Sequence, residues 1–235
     1  MRVAIQQSRQ LFDMGARLGI QMTTLNIGGG FPGGLRKLDF FAKVCAAVRS
    51  ALDTHFPESC GTNVIAEPGR FFAASSYTLA VKVVAKRTRL TSIDGTLRKK
   101  HDVYVNESQL NCVPRALYAL MDIKHAPLSP PYERRRNELT TLWGATCHPR
   151  DAFEDGVPYF DVSVGEWILM DNVGAYGLVN ACGFNGIGFP PVHYRTDPED
   201  VGRVSRLLQA SKLSPGYSQP DKVLKTAEED SPRKS

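Results

Sequence analysis

The spacing of apolar residues changes character once along this chain, near Arg70. Within residues 6–18, Leu11, Phe12, Met14 and Leu18 recur at helical spacing and mark an amphipathic helix that stops at Gly19. "LDFFAKVCAAVRSALDTHF", at 38–56, carries the wide apolar stripe of a helix that covers a sheet. "MTTLNI" and "NVIAEPGR" read as short buried strands, one after each helix. The order helix, strand, helix, strand, with a helical crossover, makes the two strands parallel neighbours and the architecture α/β. After Arg70 the period becomes two: "SSYTLAVKVVAKRTRL", "HDVYVNES" and "FDVSVGEWILMDNVGAYGLV" alternate apolar with polar residues, with "FPPVHYR" as a further strand. No strong helix interrupts them until residues 200–212, so an antiparallel β domain is expected. The expected organisation is α/β over residues 1–73, β over 74–200, and a terminal helix with a disordered, Pro-, Ser- and charge-rich tail over 201–235.

Composition narrows the function classes. The chain is 42% hydrophobic and 23% charged, as soluble globular proteins are. Its net charge of +5 comes from 29 basic against 24 acidic residues, and the basic runs at 98–100 and 134–136 have no interleaved aromatics, so solvated loops are expected rather than a nucleic-acid surface. The most apolar region, 64–85, contains Glu67, Arg70 and Lys82 and falls short of the roughly 18 apolar residues of a membrane span. "MRVAIQQSRQ" lacks the apolar core of a signal peptide, and a cytoplasmic location is expected. Five cysteines without a CxxC pair argue against a disulfide framework and against a zinc site.

"LNIGGGFPGG", at 25–34, places glycines directly after a strand. Such a loop is either a tight turn that needs several positive φ angles or a nest of backbone N–H groups for an anion. Gly28, Gly30 and Gly33 formally fit G-x-G-x-x-G, but Pro32 removes a donor and the next strand ends in Glu67, well beyond the roughly 20 residues at which a ribose-binding acid is expected. No Lys-Ser or Lys-Thr follows, which excludes a Walker loop. Glu67 and Arg70, in "EPGR", end the next strand on the side where parallel strands place their sites. A carboxylate and a guanidinium beside an anion nest suit a phosphorylated cofactor with a cationic ring nitrogen, of which pyridoxal phosphate is one.

"LNIGGGFPGG", "IAEPGRFFAASSYTLAV", "LWGATC", "VGEWILMDNVGAY" and "FNGIGFPPVHY" together resemble the ornithine decarboxylase and antizyme inhibitor family, from about residue 5 to 195. The resemblance implies the last part of a pyridoxal-phosphate-binding (β/α)8 barrel followed by an antiparallel β-barrel or sandwich domain. It also implies a head-to-tail homodimer with shared active sites, and antizyme as a partner. Carried over residue by residue, it implies that Gly28, Gly29 and Gly30, with Arg70 and Tyr176, hold the cofactor phosphate, and that Glu67 faces the pyridine nitrogen. Cys147 matches the cysteine that delivers a proton across the dimer interface. Tyr118 and Phe184 fall on aromatic positions of the substrate side.

The departures from the family pattern carry expectations of their own. No counterpart is found for the cofactor-anchoring lysine, the ring-stacking histidine or an early phosphate-binding serine. Ala119 and His148 stand where the family has the two aspartates that read the substrate's distal ammonium, with Asp122 a possible substitute for the first. A buried ammonium without such a partner loses a charge-assisted hydrogen bond worth about 1.5–3 kcal/mol. The 235-residue chain on its own is therefore expected not to turn over ornithine, and a non-catalytic regulator or a degenerate fragment is the alternative.

Overall fold

The computed structural model describes residues 1–113, 123–129 and 136–210. Tyr118, Ala119, Asp122 and the tail from residue 211 lie outside them. The chain divides into two compact units, Met1–Phe189 and Pro190–Ser235.

The first unit opens with helix α1, Arg2–Arg17. It ends as expected at Gly19, which adopts φ 76°, so that Gly19 N–H donates to Ala16 O and Ile20 N–H to Gly15 O. This crossed pair satisfies two carbonyls that a helix end leaves open, and only a glycine enters that conformation without strain. Strands β1, Thr24–Asn26, and β2, Asn63–Ile65, pair in parallel, joined through helix α2, Leu38–His55. Leu25 and Val64 face the helices and pack with Ile5, Phe12, Val48 and Phe56. Phe12 and Phe56 meet edge to face at 5.1 Å, with the Arg9 guanidinium over both rings. Thr24, Asn26, Asn63 and Ile65 are exposed on the opposite face of this short arc.

Helix α3, Gly69–Ala73, leads into a six-stranded sheet of order β5-β8-β3-β4-β6-β7. Its strands are β3 (Leu79–Ile93), β4 (Thr96–Val105), β5 (His125–Pro127), β6 (Arg136–Trp143), β7 (Ala152–Phe160) and β8 (Trp167–Met170). β3 and β4 form a long hairpin through Asp94 and Gly95, both at positive φ, the turn that matches the twist of the strands it joins. Val81, Val83, Val103, Val105, Leu142, Ile168 and Met170 fill the core; around Val81 and Val83 the neighbours are exposed as period two requires, whereas in β4 and β6 Asp102 and Thr141 are buried as well. The outermost strands meet through side chains. His125 on β5 contacts the Tyr159 hydroxyl through Nδ1 (3.0 Å) and Glu154 Oε1 through Nε2 (2.8 Å), both on β7. The sheet therefore curls until its edges touch.

Three features depart from the sequence expectation. β4 and β6 run parallel within an otherwise antiparallel sheet, because the long connection over 106–135 returns the chain to the same end before β6 begins. β5, β6 and, but for its last residue, β7 lie outside the stretches read as strands; in β7 Gly156 and Pro158 interrupt the pattern, and the strand carries register shifts against β6. "FPPVHYR" forms no strand, because Pro190 and Pro191 offer no N–H to a ladder. In the second unit, a turn of 3-10 helix at Pro198–Asp200 leads into helix α4, Val201–Ala210. Among the described residues, no helix is long and apolar enough to cross a membrane.

Candidate functional site

Both open readings of the glycine loop describe part of what it does. Gly28, Gly30 and Gly34 have φ of 66°, 82° and 92°, so the turn needs glycine for its conformation. Gly29 and Gly33 need it for space: a Cβ would lie 2.9 Å from Glu67 O at the first and 2.3 Å from Arg70 O at the second. At Gly28 and Gly30 a Cβ would meet nothing within 4 Å, so the loop is open there. The backbone N–H groups of Gly29 and Gly30 have no acceptor among the described residues.

Sequence reasoning missed Asn26, which aligns the loop with the neighbouring carboxylate. Its Oδ1 accepts from Gly28 N–H (2.8 Å) while its Nδ2 donates to Glu67 Oε1 (2.8 Å). The signal was present: an Asn two residues before a glycine at a strand end is the pattern of an Asx turn. Glu67 N–H also donates to Gly28 O. Arg70 sits on α3, fixed by the Phe71 ring stacked at 3.9 Å on Phe41 of α2. Its Nε is buried and has no hydrogen-bond partner.

A third segment closes on this pair of loops. Arg36 makes a two-pronged bridge to Asp171 (2.7 and 3.1 Å), and Asp171 also accepts from Lys124 N–H. Gly34 lies against the Asn172 side chain, and a Cβ on Gly174 would fall 1.8 Å from Ala73 O. Tyr176 follows with φ 58°, an unusual conformation for a bulky residue, and its carbonyl accepts from Asn180 Nδ2 at 3.0 Å. Strained backbone of this kind is retained where surrounding structure imposes it, often at functional sites.

Cys147 lies in a second cluster. Its loop is tied down by Asp151, a fully buried carboxylate that accepts from Gln109 N–H, Ser108 Oγ, Thr146 N–H and Thr146 Oγ1 at 2.6–3.0 Å. Gly144 is required beneath it, since a Cβ would lie 2.2 Å from that carboxylate. Cys147 itself is exposed, and Asn185 Nδ2 points to its Sγ at 3.9 Å, which places the adjacent Phe184 in the same cluster. His148 turns into its own loop: its N–H donates to Thr146 Oγ1 and its Nδ1 accepts from Arg150 N–H. By contrast, burial, reinforced by the Glu107 carboxylate, pushes the Cys112 thiol up to about 12. No hydrogen bond or ring contact joins the Cys147 cluster to the glycine-loop cluster among the described residues.

The glycine-loop residues fit pyridoxal phosphate. An orphaned buried Arg70 Nε calls for an anion, two glycine N–H groups have no acceptor, and Glu67 is held by one oxygen with Oε2 unpartnered. That donor set combines a phosphate nest with a carboxylate for a cationic ring nitrogen.

Residues 1–74 match the profile of a family described as "Pyridoxal-dependent decarboxylase, pyridoxal binding domain". Antizyme inhibitor 2 of Xenopus laevis is 34% identical over 219 residues, which are 88% of this chain and 46% of that protein. Ornithine decarboxylase of Rattus norvegicus is 34% identical over 200 residues, 81% of this chain and 43% of the relative. The fold superimposes on the crystal structure of the arginine decarboxylase of Paramecium bursaria Chlorella virus with a TM-score of 0.64 and 28% identity, over 80% of this chain and 47% of that one. This chain thus spans less than half the length of these relatives. It belongs to the pyridoxal-dependent ornithine, lysine and arginine decarboxylase family, of which it represents a portion with the end of the barrel and the β domain.

Proposed function

We propose that the chain carries part of the machinery of a pyridoxal-phosphate-dependent decarboxylase of basic amino acids, of the kind that makes diamines for polyamine synthesis. Residues 1–73 are its contribution to the cofactor barrel, 74–200 its β domain and 201–235 a terminal helix and tail. The observation that carries the reading is the buried, unpartnered Nε of Arg70, whose backbone packs on the glycine loop at Gly33, together with the unfilled N–H groups of Gly29 and Gly30. Gly28, Gly29, Gly30, Arg70 and Tyr176 would hold the phosphate. Glu67, aimed by Asn26, would keep the ring nitrogen protonated. When bound, pyridoxal phosphate supplies an electron-poor ring that accepts the electron pair left when the carboxyl group departs.

Cys147 holds the proton that replaces carbon dioxide, and Phe184 and Tyr118 wall the substrate. The separation of the Cys147 and glycine-loop clusters within one chain fits two half-sites completed by a second copy. The five cysteines are all unbridged, as expected in a reducing, cytoplasmic compartment. His148 stands where a substrate-reading aspartate is expected and is engaged with its own loop. That favours a second reading, a regulator that binds antizyme without chemistry, as the name of the Xenopus relative suggests.

Titrating the 235-residue chain with pyridoxal phosphate and following carbon dioxide release from ornithine, lysine and arginine tests these readings. Saturable cofactor absorbance without turnover is expected. Turnover would contradict the assignment of this chain as an incomplete site, and absence of any cofactor signal would contradict the phosphate half-site.

A further inference from the structure

We propose that Asn185 is a positioning residue for the Cys147 thiol: its side-chain amide fixes the direction of the sulfur and stabilises it once the proton has left. The proposal rests on the reading of Cys147 as a proton donor, whereas the geometry behind it does not. Asn185 adopts φ 56° and ψ 23° inside the turn Phe184–Gly186, one of four non-glycine residues at positive φ among those described. Asparagine is one of the few side chains that enter this region at small cost, so the turn can hold it in this conformation. The next residue, Gly186, also has positive φ, and Gly186 N–H and Ile187 N–H close the turn onto Gly183 and Phe184 carbonyls. The turn thus presents the amide from a defined backbone.

The loop that carries the sulfur is anchored as well. Thr146, immediately before Cys147, gives both its N–H and its hydroxyl to Asp151. Asn185 Nδ2 then reaches Sγ at 3.9 Å, at the long end of N–H···S contacts. The amide nitrogen can only donate, so in this contact the sulfur accepts and its proton is left to point elsewhere. When the S–H bond breaks, the electron pair stays on sulfur and the proton leaves to its acceptor, so the amide faces an anion and its hydrogen bond strengthens.

Two substitutions separate this role from a structural one. Asn185→Gly keeps the positive φ at no cost and removes the amide. Asn185→Asp tolerates the same backbone and replaces the donor with a carboxylate. The readout is the rate at which iodoacetamide alkylates Cys147, followed on the peptide that carries it across neutral to alkaline pH. Cys60, whose exposed thiol is held below its ordinary range by the Thr62 hydrogen bonds, serves as the internal control. Alkylation of Cys147 is expected to slow about two- to fivefold in Asn185→Gly and further in Asn185→Asp, with the pH profile displaced upward and Cys60 unchanged. A residue that merely shielded the thiol would give the opposite sign, so faster or unaltered alkylation in Asn185→Gly overturns the proposal, whether or not Asn185→Asp folds. The same samples are titrated with pyridoxal phosphate: failure to bind it sinks the functional reading and leaves the Asn185 result standing on its own.

Discussion

Gly33 has no room for a methyl group: a Cβ would lie 2.3 Å from Arg70 O and 2.8 Å from Ala74 Cβ, backbone and core that cannot both yield. Gly33→Ala should therefore cost about 1–3 kcal/mol, as overpacking does. Gly30→Ala meets no atom and should cost only the price of a left-handed residue, about 1–2 kcal/mol. Urea unfolding of the two variants checks the values. Only Gly33→Ala should shift α3, and with it Arg70, which near-ultraviolet circular dichroism of the Phe41–Phe71 stack would register. Asp102 shows a different balance. Burial would raise its carboxyl, but hydrogen bonds from Arg87, Arg89 and Trp143 outweigh that and hold it below its ordinary 3.8. The stabilisation is complete above 3.8 and is lost as pH falls through the lower folded value, because the unfolded chain takes up the proton first. Asp102→Asn should lose about 1–3 kcal/mol at neutral pH and show a flatter acid limb in stability against pH. At this scale the sequence exposed the glycines, Glu67 and Arg70. It did not expose Asn26 or Asn185, whose importance lies in partners that only folding brings close.

Among the elements, the loops around Cys147 depend on one buried acid. Asp151 joins residues 107–111 to the 144–151 loop through four hydrogen bonds and no cation among the described residues. Asp151→Ala strands several buried donors at about 1–3 kcal/mol each. Hydrogen exchange at the Gln109 and Thr146 amides should accelerate sharply while β3 and β4 stay protected; unchanged exchange would show that the clamp is not needed. The helices and the long hairpin were legible because their patterns are local. The β4–β6 pairing was not, since a ladder between distant segments leaves no periodic mark. Helix α1 shows another limit: Leu11, Met14 and Leu18 share its apolar pattern with Phe12, yet only Phe12 is buried. An apolar stripe announces a partner surface without saying where that surface lies.

Over the whole molecule, motif order identified the family, and the structure added which motifs converge. The glycine loop, α3 and residues 171–177 form one cluster, while Cys147 and Phe184 form another. On the proposed reading, a single chain offers two separate sets of groups, one for a phosphate and ring nitrogen and one for a proton. The measurement that bears most directly on this account is equilibrium dialysis of the chain against pyridoxal phosphate and against pyridoxal, which lacks the phosphate, with Arg70→Ala alongside. Charge-assisted hydrogen bonds of about 1.5–3 kcal/mol predict that either removing the phosphate or truncating Arg70 weakens binding about tenfold or more. Equal affinity for the two ligands, or an Arg70→Ala chain that binds as the unchanged one does, would contradict the assignment of these residues as a phosphate half-site.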